Sequence, residues 1–289
     1  MFIVSVEELL SWIDEQLNNG GSKESLFLML DIVSGLSKKD LNYLKINPKQ
    51  QIKLKENLDN LSFKWEEHIY TSRPIQHICN KCYWRDLKLQ VSSKTLIPRV
   101  ETELIIDIAN DLLKFSNKRI YFTDLGTGTG AIGIALAIAN PDWVGIATDI
   151  DKQALKIARK NFLNCSKNNN LSFAYGDWWN ALKNSNEKFD LVVSNPPYIP
   201  ENVFKDLPIE VKEFEPKIAL NGGEEGLDHI VNIVNGAPRF LRECGWLIIE
   251  NHFDHSHKVK SIFSENGFHS VKTINDLSGI GRFTIGRYK

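Results

Sequence analysis

Five short apolar runs constrain the fold more than any other feature of this chain. They are RIYFTDL (119–125), WVGIATDI (143–150), LSFAYGD (171–177), FDLVVSN (189–195) and GWLIIEN (245–251). Each is too short for a buried helix, and from Thr95 onward the text between them reads as helices. Strands alternating with helices build a mostly parallel sheet with helices on both faces. The expected fold class is therefore α/β, with a doubly wound, mostly parallel sheet.

Residues 1–74 carry no such runs and read as helices without a strand. Ser5 and Glu8 have the spacing of a capping box that opens VEELLSWIDEQL, and Gly20-Gly21 ends that helix. A second helix over 24–36 sets Leu26, Leu30 and Val33 on one face, with Gly35 near its end. Asn47-Pro48 looks like the start of a third, and 63–70 looks like a last one before Arg73-Pro74. Between Pro74 and Ser92 the text YWRDLKLQVS alternates with period two, as a hairpin does. Three segments follow: a helical domain over 1–74, a hairpin linker over 75–94 and an α/β domain over 95–289. A length of 289 residues suits one large domain plus a small one.

Charge narrows the function classes. The formal net charge is −1, and residues 1–74 hold nine Lys/Arg against eleven Asp/Glu. Neither part has the basic surplus that phosphate backbones demand, so no nucleic-acid partner is expected. The N-terminus shows no signal peptide and no window is a membrane span. The four cysteines read as free thiols of a reducing compartment, and a cytoplasmic monomer is expected.

YFTDLGTGTGAIGIALA places a glycine-rich turn between a strand and a helix. Gly126, Gly128 and Gly130 clear side chains from the path of a ligand, which should lie outside the carboxyl ends of the strands. Thr127 and Thr129 belong to the same turn. Asp149 ends the next strand, where a carboxylate can accept both ribose hydroxyl protons. The spacing also fits a dinucleotide fingerprint, which alone is weak. Asp124, just before the loop, favours a ligand carrying an ammonium and a sulfonium, S-adenosylmethionine (SAM), over a diphosphate. After the third strand, the Trp178 indole could cover an adenine and Asp177 could accept from its amino group.

SNPPY (194–198) follows the fourth run. The amide oxygen of Asn195 and the main-chain carbonyl of Pro196 can converge on one point, because Pro196 and Pro197 fix the backbone. Two acceptors suit a planar NH₂, and Tyr198 could hold its plane by a flat face or a hydroxyl. Such a nitrogen is a poor nucleophile, so positioning and electrostatics must supply most of the rate effect. The group held could be a carboxamide or the amino group of adenine or cytosine.

The chain resembles the HemK/PrmC release-factor glutamine methyltransferases along most of its length. MLDIVSGLSKKDL, RPIQHI, LIPRVETELII, the glycine loop, ATDID, GDWW, SNPPYIP, EFEPKIALNGGEEGLDHI, GWLIIE and NDLSGIGR follow in family order. The glycine loop and NPPY are widespread; the segments starting at Leu96 and Glu213 are far more specific. The resemblance implies a class I, Rossmann-like SAM-dependent enzyme with a helical substrate-recognition domain. It implies transfer to the glutamine amide nitrogen (N5) in the Gly-Gly-Gln motif of class I release factors. By position, Gly126 to Gly130, Asp149, Trp178 and Asn195 would contact SAM, and Asn195 to Tyr198 would hold the glutamine. Arg99, Glu101 and Glu103 would shape the pocket. Departures from the family text fall at His77, Asn80, Val100, His252 and His255, and bear on the linker and the pocket rim. An N6-adenine nucleic-acid methyltransferase uses a nearly identical acceptor turn and is the alternative. A dehydrogenase and a non-catalytic release-factor-binding module are the readings from other classes. Cys79-x-x-Cys82 has no second pair, and His252, His255 and His257 fit no standard spacing, so no metal is expected.

Overall fold

The computed structural model describes residues 1–46, 50–185 and 187–289. It divides into two compact units, 1–83 with 209–214, and 84–208 with 215–289.

In the first unit, α1 (Val6–Asn19) is capped by Ser5, whose hydroxyl accepts from the Glu8 backbone N–H, and ends at Gly20. Helix α2 (Lys23–Ser34) ends on Gly35 in the left-handed region. A capping box formed by Ser37 and Asp40 opens α3 (Lys38–Leu44). Asn57 caps α4 (Leu58–Thr71), so the helix expected at 63–70 is the latter part of a longer one. Their inner faces meet at Leu9, Leu26, Leu30, Leu61 and Trp65, all fully buried.

Two findings correct the expectation of helices alone. Strands β1 (Phe2–Ser5) and β2 (Gln51–Leu54) pair antiparallel, with Phe2 opposite Leu54. Four residues are too few to display a period, and the pairing is non-local, so neither strand announces itself. The helix start read at Asn47-Pro48 lies outside the described residues, and from Gln51 the chain is strand. Helix α5 (Ile75–Cys79) then ends on Asn80 at φ 52°, a left-handed position that asparagine tolerates better than other non-glycine residues. The division between the units falls inside β3 (Lys81–Trp84), the first strand of a two-stranded ribbon with β4 (Leu87–Gln90).

The second unit holds β5 (Tyr121–Leu125), β6 (Val144–Asp149), β7 (Leu171–Tyr175), β8 (Phe189–Ser194) and β9 (Leu241–Glu250). These are the five apolar runs, and they pair parallel. Antiparallel β10 (Phe268–Asn275) and β11 (Gly281–Tyr288) complete the order β10-β11-β9-β8-β5-β6-β7. Helix α6 (Leu104–Leu113) precedes β5, and the connections between strands carry α7 (Ala131–Ala139), α8 (Lys152–Cys165), α10 (Asp228–Gly236) and α11 (Ser256–Glu265), while the short α9 (Ile209–Lys212) belongs to the first unit. Helix α7 is apolar on every side and buried from Ala131 to Ala137, as a helix packed all round must be. From β5 the chain winds outward through β6 and β7, then returns to β8 on the other side of β5. That reversal creates a crevice at the carboxyl ends of β5 and β8. Leu125 and Ser194 stand opposite each other there, and Ser194 Oγ donates to the Leu125 carbonyl at 2.7 Å.

Among the described residues, no helix is long and apolar enough to cross a membrane. All four cysteines are free.

Candidate active site

The glycine loop leaves β5 and turns directly into α7. The Thr127 N–H donates to the Thr148 carbonyl at 2.8 Å, and the Gly130 N–H to the Thr127 carbonyl at 2.8 Å. Gly130 sits at φ 87°, and a Cβ there would stand 2.7 Å from Ile134 Cδ1, so the turn admits only glycine. Gly128 differs, because a Cβ there would meet nothing within 4 Å. Its open side faces a cleft of about 1040 Å³, solvent at its mouth included, ample for a nucleoside with an amino-acid tail.

Gly126, Thr127, Gly128, Thr129, Asp149, Asp177, Trp178, Asn195 and Pro197 line this cleft. Four other candidates stand behind its wall: Asp124, Gly130, Pro196 and Tyr198. Asp124 is fully buried. Its Oδ2 accepts from Thr127 Oγ1 at 2.5 Å and from the Gly133 N–H at 3.0 Å, while Oδ1 has no partner. Burial pushes its carboxyl up to about 6 against the downward pull of those two bonds.

Asp149 lies on the wall itself. Its Oδ2 accepts from the Gly128 N–H at 2.8 Å and its Oδ1 from the Asp151 N–H at 2.9 Å. Each oxygen keeps a lone pair for a ligand hydroxyl. Burial raises its pKa, and the backbone N–H donors oppose that. Trp178 is held at φ 43°, a conformation costing a non-glycine residue ~1–3 kcal/mol. Its ring lies 5.4 Å from that of His229 at an interplanar angle of 52°, and both residues line the cleft.

The segment 96–103 closes the opposite side. Leu96, Pro98, Arg99 and Thr102 line the cleft, whereas Glu101 and Glu103 do not. The Trp84 indole N–H donates to the Arg99 carbonyl at 2.7 Å, and the Arg99 guanidinium pairs with buried Glu215 at 2.7 Å. Burial raises the Glu215 pKa, and Arg99 opposes it. Glu215 opens the segment that packs on the acceptor turn. The Ile199 N–H donates to the Leu220 carbonyl at 3.0 Å, and the Gly222 N–H to the Ile199 carbonyl at 2.8 Å. A Cβ on Gly226 would come within 2.5 Å of the Tyr198 carbonyl, so glycine alone permits this approach.

In the acceptor turn, Asn195 Nδ2 donates to Thr102 Oγ1 at 3.1 Å, leaving Oδ1 with no partner among the described residues. Tyr198 Oη donates to Glu250 Oε1 at 3.1 Å, so the hydroxyl read as a substrate handle is taken. Burial and the nearby Glu250 charge raise the Tyr198 pKa. Glu250 and Thr102 were not singled out as functional residues from sequence. The signal for Glu250 is a lone acid ending an apolar strand, the same signal that exposed Asp149. His252 and His255 lie 5.1 Å apart, with His252 beside the Tyr198 ring, and neither lines the cleft. Among the described residues, no three His, Cys, Asp or Glu gather as a metal site.

Glu250 is 1% exposed, and burial pushes its carboxyl up to about 7, against hydrogen bonds from Thr102 and Tyr198 and the charge of Arg282. The folded chain therefore holds a proton that the unfolded chain releases near 4.5. That stabilisation is complete below the unfolded value and is lost as pH rises through 7, about 3 kcal/mol in all. Glu250→Gln does not titrate. Its unfolding free energy relative to wild type should rise by about 3 kcal/mol between about pH 4.5 and pH 8.5, measured by urea titration. A constant difference would show that the carboxyl titrates normally.

The chain is 42% identical over 286 residues to a release factor glutamine methyltransferase of Prochlorococcus marinus, covering 97% of this chain and 96% of that one. A release factor glutamine methyltransferase of Vibrio cholerae is 34% identical, with 99% and 98% covered. The chain belongs to the release factor glutamine methyltransferase family. Residues 101–207 also match the methyltransferase small domain. The solved hMettl16 catalytic domain, in complex with a MAT2A 3'UTR hairpin, shares the fold at a TM-score of 0.57 and 18% identity. That match covers 70% of this chain and 74% of that one.

The methyl donor of this family member is SAM, and the residues present fit it. Asp149 offers paired acceptors to ribose hydroxyls, and Trp178 and Ile150 offer apolar surface to a base. Acids border the loop where a dinucleotide would bring its diphosphate, and the nearby Arg99 is already paired.

Proposed function

We propose that this chain transfers a methyl group from SAM to the side-chain amide nitrogen of a glutamine, the one in the Gly-Gly-Gln motif of class I release factors. SAM supplies an electrophilic methyl group on a sulfonium. The free Oδ1 of Asn195, set at the cleft wall with its own NH₂ already engaged, is the observation that carries the reading. A lone acceptor there, beside the backbone carbonyl of Pro196, suits a substrate group with two N–H bonds to give. Holding those bonds turns the amide nitrogen toward the methyl group and favours the positive charge that grows on it. As the N–C bond forms, the sulfur keeps the electrons of the old S–C bond, and one amide proton leaves to water.

The helical domain, residues 1–74, is assigned the recognition of the protein substrate. Support comes from large apolar side chains left outside its core, with Ile46 74%, Phe63 70% and Tyr70 80% exposed. Purified chain with labelled SAM should label a release factor on its Gly-Gly-Gln glutamine, read by mass spectrometry of the digested factor. Label in DNA and none in the factor would replace this reading with the adenine alternative.

A further inference from the structure

Side chains from three distant segments join in one chain of hydrogen bonds behind the acceptor turn. Asn195 Nδ2 donates to Thr102 Oγ1, and Thr102 Oγ1 donates to Glu250 Oε2 at 2.7 Å. The other Glu250 oxygen accepts a hydrogen bond from the Tyr198 hydroxyl. Thr102 is 4% exposed and Glu250 1%, so water does not compete for these bonds.

The direction of this chain is dictated at its buried end. With Glu250 ionised, as it is above about pH 7, its carboxylate only accepts, so the single hydroxyl proton of Thr102 goes to Glu250. Thr102 is then left with lone pairs alone for Asn195. The Asn195 amide must turn its NH₂ inward and its oxygen outward, because the reverse would oppose two acceptors in a dry place. We infer that Glu250 and Thr102 are positioning residues that set the polarity of the acceptor site, holding Asn195 Oδ1 toward the substrate nitrogen. The inference rests on the reading of Asn195 as the substrate's acceptor. It adds a specificity rule: a group presenting an oxygen to Asn195 is repelled, so the substrate amide enters nitrogen-first.

Thr102→Val keeps the side-chain shape and removes the hydroxyl, which frees Asn195 to turn over. Its kcat should fall roughly 10- to 100-fold, while SAM affinity by calorimetry stays within about threefold. Thr102→Ser restores the hydroxyl and should return kcat to within about threefold of wild type. A purely structural Thr102 would give another pattern: Ser, which lacks the packing methyl, would fail to rescue, and kcat would follow thermal stability. Wild-type kcat in Thr102→Val, or no rescue by Ser, overturns the inference. A second readout needs no methyl acceptor. In ¹H–¹⁵N spectra of the full chain, the Asn195 side-chain NH₂ should show an Overhauser contact to the Thr102 methyl. That contact decides the matter even if Thr102→Val does not fold, and its absence overturns the inference. Failure of wild type to methylate a release factor, with the contact present, would reject the substrate reading alone.

Discussion

Asn195→Ala is expected to slow methyl transfer to the release factor by about 10²- to 10³-fold, the usual cost of losing one aimed polar group in a dry site. The substitution removes the acceptor that orients the substrate nitrogen and leaves Thr102 without its donor. It touches none of the backbone contacts of the glycine loop, so SAM affinity should change by less than about tenfold. Single-turnover kinetics with saturating SAM, beside calorimetry, separates the two effects. If transfer continued at the wild-type rate, the turn would be a strand terminator and nothing more. Asn195→Asp is a sharper probe still. It keeps an acceptor but supplies no N–H to Thr102, and it adds a half-buried carboxyl one side chain away from Glu250.

Asp149→Ala should act on the other substrate. Two hydroxyl hydrogen bonds to a charged acceptor contribute about 1.5–3 kcal/mol each, so SAM affinity should fall on the order of 10²- to 10⁴-fold. Part of that loss is indirect, because the same carboxylate accepts from the N–H groups of Gly128 and Asp151. Without it, two backbone donors at the cleft wall lose their partner and the loop loosens. Asp149→Asn keeps the shape and one acceptor, and should fall between alanine and wild type. Calorimetric titration with S-adenosylhomocysteine reads both variants without turnover. An alanine variant that binds as wild type does would remove Asp149 from the cofactor site.

These two residues were legible in the sequence for a shared reason. Asp149 ends, and Asn195 directly follows, a strand that shows itself as an apolar run, and parallel sheets collect their ligands at that end. Glycine spacing and the proline pair carry their meaning locally, so no tertiary contact is needed to read them. Thr102 and Glu250 meet across 148 residues of sequence. Their meeting depends on the β8–β9 register, in which Ser194 opposes Ile249, and on the path of the segment before α6. Nothing local encodes either. The β1–β2 pair escaped for a similar reason: Phe2 and Leu54 become strand residues only through each other. Conversely, of the flat face or hydroxyl offered by Tyr198, the hydroxyl is engaged by Glu250, because a sequence displays a side chain's capacity and not its occupancy.

The register of β5 against β8 has one more consequence. Leu125 and Ser194 share a rung, so the loop proposed for the methyl donor and the turn proposed for the acceptor begin on adjacent backbones at the next residue of each. Neighbouring strands are held about 4.8 Å apart by their own hydrogen bonds. The sheet therefore works as a gauge block, with the gap between donor and acceptor machined into the backbone. Surface residues can drift through evolution without opening that gap. A one-residue slip of β8 would destroy it outright, since every side chain of the strand would change face.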